Sequence, residues 1–545
     1  MGWHRKWKRN APKEESGLET IRERRERWVS IYVIYFTMFL MSLGFSSILT
    51  GVWPYLDKLD PGAGKEFMGY VVGANPLGQM LFSPLVGWWG NYLGSIRIPS
   101  LFSLALFTLA SGIYSTLELF PSHHKYWMLG ARFLVGVSSA NIAVCRSYLS
   151  AATTLKERTG AVSMVSLAQV LGFIVGPALQ AAVTKLGDDG VEIIPGQLTL
   201  NMYSAAGWMN VIMSIVNFIM FLPFVFIERP IAAREAMLNQ GAESEEATWK
   251  DNKPDYISTW TLISAFFVLV FNFVLLETLG TSLTMDQFAW SKEEAVYYMG
   301  ILMSVGAVIA CVTFVGIGPL CKRFPERKVL LWGGFFLMVV GRALYIPWGP
   351  SPPQIAETQS DDLNISITMT NGTIINFNHT INLTLSLGCP SIQEWCYYTP
   401  AMTISQFLLG YALTAVGYPI GVTLIQTIFS KILGPRPQGV WMGLMTGSGC
   451  LSRVMGPVFV SSIYTRLGTI WTFGITTVMM AVSMVWLRLV DTRLIVPEPE
   501  KNIELQPQDN IIGESETTNA LNPQDKSEST QDHFTPLANG NQLEV

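Results

Sequence analysis

The stretch Gly87-Trp88-Trp89-Gly90-Asn91-Tyr92-Leu93-Gly94-Ser95-Ile96-Arg97 returns in altered form as Gly318-Pro319-Leu320-Cys321-Lys322-Arg323-Phe324-Pro325-Glu326-Arg327-Lys328. Each copy reads as a glycine, three residues, two polar residues, one residue, a turn-former and a basic end. Each lies between two long apolar segments, the first after the second segment and the other after the eighth. A tight hairpin repeated at equivalent places describes a chain made of two matching halves.

Half of the 545 residues are hydrophobic and only 14% are charged, which argues against a soluble multi-domain protein. Runs of about 20 apolar residues cross a bilayer as helix. Twelve are predicted, near 29–52, 67–89, 98–118, 126–150, 160–183, 201–227, 258–280, 295–317, 329–348, 400–430, 440–465 and 468–490. The expected fold is an all-α membrane protein with twelve transmembrane helices in two six-helix halves.

Lys and Arg predict the orientation, because positive loops stay cytoplasmic. Nine of them precede or include Arg27, and the bias continues in alternate loops at Arg97, Lys156, Arg158, Lys322, Arg323, Arg327, Lys328, Lys431 and Arg436. None lies between Arg342 and Lys431. Both termini are therefore expected in the cytoplasm. The basic segment 1–28, directly before the first helix, suits anionic lipid headgroups rather than nucleic acid. It is too charged, and the first helix too long, for a cleaved signal peptide.

The loop 349–398 is expected on the opposite side. It carries four glycosylation acceptors of the Asn-x-Ser/Thr type, at Asn364, Asn371, Asn378 and Asn382, which are used only in a lumenal or extracellular loop. Cys389 and Cys396 in the same loop are a candidate disulfide, with two free thiols as the alternative. Residues 228–257 form a polar cytoplasmic linker between the halves 29–227 and 258–491. The tail 492–545 has too little apolar content to fold alone and is expected to be disordered.

A second echo tests the duplication. Gly172-Phe173-Ile174-Val175-Gly176-Pro177 in the fifth segment corresponds to Ser452-Arg453-Val454-Met455-Gly456-Pro457 in the eleventh. Gly176 and Gly456 are 280 residues apart, whereas Gly87 and Gly318 are 231 apart, a difference of 49. The long loop, standing where the first half has only about six residues at 119–124, accounts for most of it. Two parallel six-helix repeats about a central site follow.

With its paired hairpins, Arg132 followed by Gly136, and the Gly176-Pro177 step, the chain resembles the major facilitator superfamily over about residues 29–490. Asn91 and Tyr92 stand where that family usually has an acid and a base, and Lys322 and Pro325 depart from the second copy. Val52-Trp53-Pro54-Tyr55-Leu56, Ala140-Asn141-Ile142-Ala143-Val144, Leu283-Thr284-Met285-Asp286 and Lys431-Ile432-Leu433-Gly434-Pro435 are similar to a lysosomal branch of it. That resemblance implies a multi-pass endolysosomal protein, with the plasma membrane as alternative, acting as a chloride-conducting or solute-exporting pathway. Cytoplasmic sorting machinery is a candidate partner, although only Asp491 with Leu494-Ile495 approximates a dileucine address.

Ionisable residues inside membrane helices face a cavity or a partner. Arg132, Arg146, Glu277, Arg342 and Arg453 qualify by depth. Arg453 and Arg132 suit an anion, and Glu277 suits proton uptake or a structural ion pair. Arg146, close to a helix end, reads best as snorkelling to headgroups. Asn75, Gln79 and Gln169 offer amides to a substrate or to a neighbouring helix. Asn75-Pro76 is expected to interrupt the second helix, and the two hairpins, with Gly87, Asn91, Gly94, Arg97, Gly318, Lys322, Arg323, Arg327 and Lys328, to act as cytoplasmic gating loops.

No catalytic constellation, metal site, cofactor motif or phosphate-binding glycine loop stands out. The function expected is a secondary transporter or anion pathway moving a small ion or solute through the bilayer. A non-transporting receptor or scaffold on the same fold is the alternative.

Overall fold

The computed structural model describes residues 18–495, apart from 50, 188–189, 195–197, 242–243, 250–252, 357–386 and 392. The four acceptor asparagines and most of the tail lie outside the described residues. The chain is helical almost throughout. In the first half, α1 (Ile21–Leu49), α2 (Val52–Leu59), α3 (Gly64–Leu93), α4 (Arg97–Ser115), α5 (His124–Ser138), α6 (Asn141–Ala151), α7 (Leu155–Val183) and α8 (Ser204–Met220) follow in order. After α9 (Ala232–Gln240) come α10 (Tyr256–Phe288), α11 (Lys292–Arg323), α12 (Glu326–Lys328), α13 (Leu337–Leu344), α14 (Ile404–Leu433) and α15 (Gly439–Leu489).

Eight of these helices are long and apolar enough to cross a membrane. Three details reconcile that number with twelve passes. Gly468, at φ 81°, breaks α15 into two spans. Residues Val329–Phe336 between α12 and α13 are wound as a π-helix, so 326–344 forms one continuous pass. The remaining two passes are α3, whose apolar run is diluted by glycine and polar residues, and the 17-residue α8. Pro76 does not interrupt α3, which runs unbroken with Pro76 and Pro84 inside it. The real break is in the fourth pass at Ser139–Ala140, where Gln79 Nε2 donates to the Ser139 carbonyl.

Helix starts follow local chemistry. Thr154, Ser291 and Thr403 each accept from the third backbone N–H of their helices, with Glu157, Glu294 and Gln406 returning the bond as capping boxes. Asp255 caps α10, and the bond from the Ser258 hydroxyl holds its carboxyl below the usual range.

The buried apolar cores segregate by half. Two clusters draw on residues 31–226 and two on 262–494, with Leu167 and Val170 crossing to pack on the second half. The pairing inside each half is repeated. In the first, α7 lies so close to α1 that a Cβ on Gly172 would sit 2.4 Å from the Phe39 carbonyl oxygen. In the second, α15 lies on α10, with Gly449 against Phe266 and Gly456 against Val274. First-to-fifth helix packing in both halves is what a parallel duplication requires.

The two ends of the bundle differ. One, the linker face, carries α9 and the starts of α1, α7 and α15. There Arg27, buried, pairs with Glu19 at 2.7 Å and Glu157 at 2.9 Å, and Arg229 pairs with Glu26 at 2.9 Å. The other, the loop face, carries a short parallel pair, β3 (Ile355–Ala356) with β4 (Cys389–Pro390), after the first-half hairpin β1 (Val191–Ile194) and β2 (Leu198–Leu200). Cys389 and Cys396 are joined in a disulfide with Cα atoms 6.1 Å apart.

Candidate functional site between the halves

On the linker face the halves touch. α3 and α15 meet through glycines: a Cβ on Gly87 would fall 2.1 Å from the Gly439 oxygen, and one on Gly443 2.5 Å from the Ser83 oxygen. Asn91 Oδ1 accepts the Gly439 N–H at 2.8 Å, so the first hairpin closes directly on the start of α15. Beside it, the fully buried Arg158 donates to Ser150 (2.6 Å) in its own half and to the Ser430 carbonyl (3.2 Å) in the other. Thr159 bonds Glu326, and Lys431 bridges Glu326 at 2.7 Å and the Thr159 hydroxyl at 3.2 Å.

Toward the loop face the same helices part. On α3, Gly87, Met80 and Gly73 lie seven residues apart on one stripe. The Met80 carbonyl still meets Gly447, but nothing lies within 4 Å of a Cβ on Gly73 or Gly69, and Tyr70 is 68% exposed. On α15, Val458 is 70% exposed. The structure is sealed at the linker face and open toward the loop face.

Between seal and opening stands Arg146. Its Nη2 donates to Gln169 Oε1 at 3.2 Å on α7 and its Nη1 to Thr446 Oγ1 at 3.3 Å on α15 in the other half. Its Nε is buried without a partner. A void of about 10 Å³, room for one water, is lined by Arg146, Val162, Gln426 and Met442. Thr446, Cys450 and Arg453 succeed one another at one-turn spacing on one face of α15. Cys450 lies in the field of both guanidinium groups, and Tyr418 in the field of Arg146, Arg453 and Glu277. Arg453 and Glu277 are solvent-exposed although both sit well inside their helices. Among the described residues no ion pair holds Arg146, Arg453 or Glu277.

Snorkelling, expected for Arg146, is therefore replaced by a bridge between halves. Depth along a helix was legible in the sequence; the direction of the side chain was not. Of the residues expected near it, Arg453, Glu277 and Gln169 are brought together. Arg132 is not. It is 1% exposed, lies over the Phe45 ring at 5.4 Å, and none of its three nitrogens has a partner. Asn75 is buried where α3 and α5 cross, its carbonyl 2.1 Å from a Cβ on Gly136, and Gln79 ties the same crossing. Arg342 is fully buried and donates to the Asn272 carbonyl at 2.6 Å.

The hairpins are mostly helix rather than loop. Gly87 and Asn91 belong to α3, Gly318, Lys322 and Arg323 to α11, and Arg327 and Lys328 to α12; Gly94 is the left-handed cap of α3. Arg97 donates to the Phe226 carbonyl at 2.8 Å and Arg327 pairs with Asp491 at 3.3 Å, each within its own half. Lys322, Arg323 and Lys328 are exposed.

One acid was missed. Asp286, buried near the end of α10, accepts the Tyr464 hydroxyl at 2.8 Å and lines a cavity of about 290 Å³ with Ser282, Gln393, Ser461 and Thr465. The helix runs eight residues past its expected end at 280, which is why Asp286 was read as loop.

Comparison with known proteins places this geometry. Residues 34–387 match the family model "Major Facilitator Superfamily". Major facilitator superfamily domain-containing protein 8 of Xenopus laevis is 41% identical over 484 residues, 88% of this chain and 94% of the relative. Multidrug resistance protein 2 of Bacillus subtilis is 25% identical over 308 residues, 55% of this chain and 69% of the relative. Among solved structures, the human organic anion transporter MFSD10 aligns with a TM-score of 0.57 at 14% identity, covering 85% of this chain and 99% of that one. The E. coli fucose:proton symporter FucP gives 0.57 at 12%, with the same coverages.

Proposed function

The chain belongs to the major facilitator superfamily, and from that membership we propose that it is a secondary carrier for a small anionic solute. The observation that carries this reading is the pairing of Arg146 and Arg453 between the halves, unneutralised by any ion pair among the described residues. Two guanidinium groups in one aqueous recess attract an anion and repel a cation. The seal supports a carrier over an open conduit, since the backbones at Gly87 and Gly439 are in contact below the site.

The membrane assigned is endolysosomal, with the linker face and both termini in the cytoplasm. The Lys and Arg distribution and the glycosylation triplets of the opposite loop support this orientation. In it, the conformation described opens to the lumen. Glu277 faces the same recess and is the proposed proton site: an acid that loads from an acidic lumen and discharges at cytoplasmic pH.

The test is solute flux into liposomes holding the purified full-length chain. Arg453→Ala abolishes flux while folding and glycosylation stay intact; unchanged flux removes Arg453 from the site. Glu277→Gln keeps flux but loses its dependence on a pH gradient, and a variant with the wild-type pH profile removes Glu277 from coupling.

A further inference from the structure

We infer that the recess is a two-armed clamp for small dianions, in which Arg146 of the first half and Arg453 of the second each take one charged end of the solute. This rests on the carrier reading above and names its substrate class. The geometry begins with Thr446. Arg146 already touches it, and Arg453 lies two turns further along the same face of α15. Long side chains on a helix lean back toward its N-terminus. The Arg453 stem therefore leans toward Cys450 and Thr446, and the two guanidinium groups converge on Cys450, which feels both.

Charge and donor counts point the same way. Arg146 and Arg453 lie in each other's field, and Glu277 is the one acid that shares Tyr418 with them. With Glu277 protonated, the recess carries two uncompensated positive charges, so a monoanion leaves one unmatched. A dianion matches both. The donors are also spare: Arg146 Nε has no partner and no hydrogen bond occupies Arg453. Each guanidinium can present a fork of parallel N–H donors to a carboxylate or phosphate. Gln169 and Thr446 meanwhile hold Arg146 in one orientation, lowering the ordering cost of binding.

Because the arms belong to different halves, a bound dianion would draw the halves together over itself. A monoanion on one arm would not. Dianion binding thus links occupancy to closure of the loop face, the step a carrier needs before its linker seal can open.

The experiment is thermal unfolding of the purified full-length chain near neutral pH at constant ionic strength and chloride. The probes are succinate and glycerol phosphate, each against butyrate as the monoanion. At least one dianion raises the unfolding midpoint at a concentration about tenfold or more below that needed by butyrate. Arg146→Gln and Arg453→Gln each remove that preference. Arg146→Lys, which keeps the charge but loses the fork, retains it in part, and the midpoint without solute reports whether each variant folds. Equal protection by butyrate, no protection by either dianion, or full preference in a folded Arg146→Gln protein would each overturn the clamp. Liposome flux separates the two readings. A protecting dianion that never crosses removes the carrier and leaves the clamp, whereas a carried monoanion without dianion preference does the reverse.

Discussion

The linker face is closed twice, by different chemistry. Between α3 and α15 the seal is neutral: backbones meet at Gly87, Gly439 and Gly443, and one amide, Asn91, fastens the crossing. Between α7 and the second half it is ionic and buried, through Arg158 on Ser430 and the Thr159, Glu326 and Lys431 cluster. The two sequence echoes would suggest that both hairpins do the same work. They do not. Asn91 in the first copy crosses to the other half, while Lys322 and Arg323 in the second are exposed, and the acid three residues on, Glu326, has taken over the crossing contact. Duplication preserved the architecture of the seal and let its chemistry diverge.

Three substitutions would break or sharpen this contrast. The largest effect belongs to Gly87→Leu. Its side chain would occupy the space of the Gly439 carbonyl, a clash costing about 1–3 kcal/mol or more, and so shifting the closed population about tenfold or more. Alkylation of a cysteine placed at Met442, assayed from the linker face, should rise accordingly; unchanged labelling would mean that the glycine contact is not what closes the protein.

Lys431→Gln should have an intermediate effect. It leaves an amide to bond Glu326 but removes the charge, and a charge-assisted bond of this kind contributes about 1–3 kcal/mol. The same labelling should increase in the variant, whereas raising the salt concentration should open the wild type more than the variant. Equal salt responses would show that the ionic seal adds nothing to the neutral one. The smallest change is Asn91→Asp, which puts an anion at the start of α15, where a helix N-terminus favours it by about 0.3–1 kcal/mol. Labelling at Met442 should fall slightly, and a rise would show that the lost amide mattered more than the added charge.

How much of this was legible in the sequence depends on the residue. Hydropathy located the passes because a bilayer demands about 20 apolar residues in a row, and the 49-residue mismatch between echoes located the inserted loop. Arg453 and Glu277 could be chosen by depth alone. Arg146 could not be assigned its role, since its partner Thr446 is 300 residues away and the echoes say nothing about which way a helix is rotated. Asp286 was hidden by a misplaced helix end. Gly87 was quoted first for its place in a repeat, yet its physical role, letting two backbones touch, needs the opposing Gly439 to be seen.

The disulfide-bonded corner on the loop face has a practical consequence. Ile355 pairs with Cys389 and Ala356 with Pro390, so the chain leaves the bundle after Ala356 and re-enters it one strand spacing away. Trp395 then wedges that corner against Tyr464, with ring centroids 5.3 Å apart, and against the Gly468 bend. A segment whose two ends are already held side by side is a natural graft point. A small rigid domain spliced between Ala356 and Cys389 would ride on a fixed base, giving a carrier with little mass outside the bilayer a handle for particle alignment in electron microscopy.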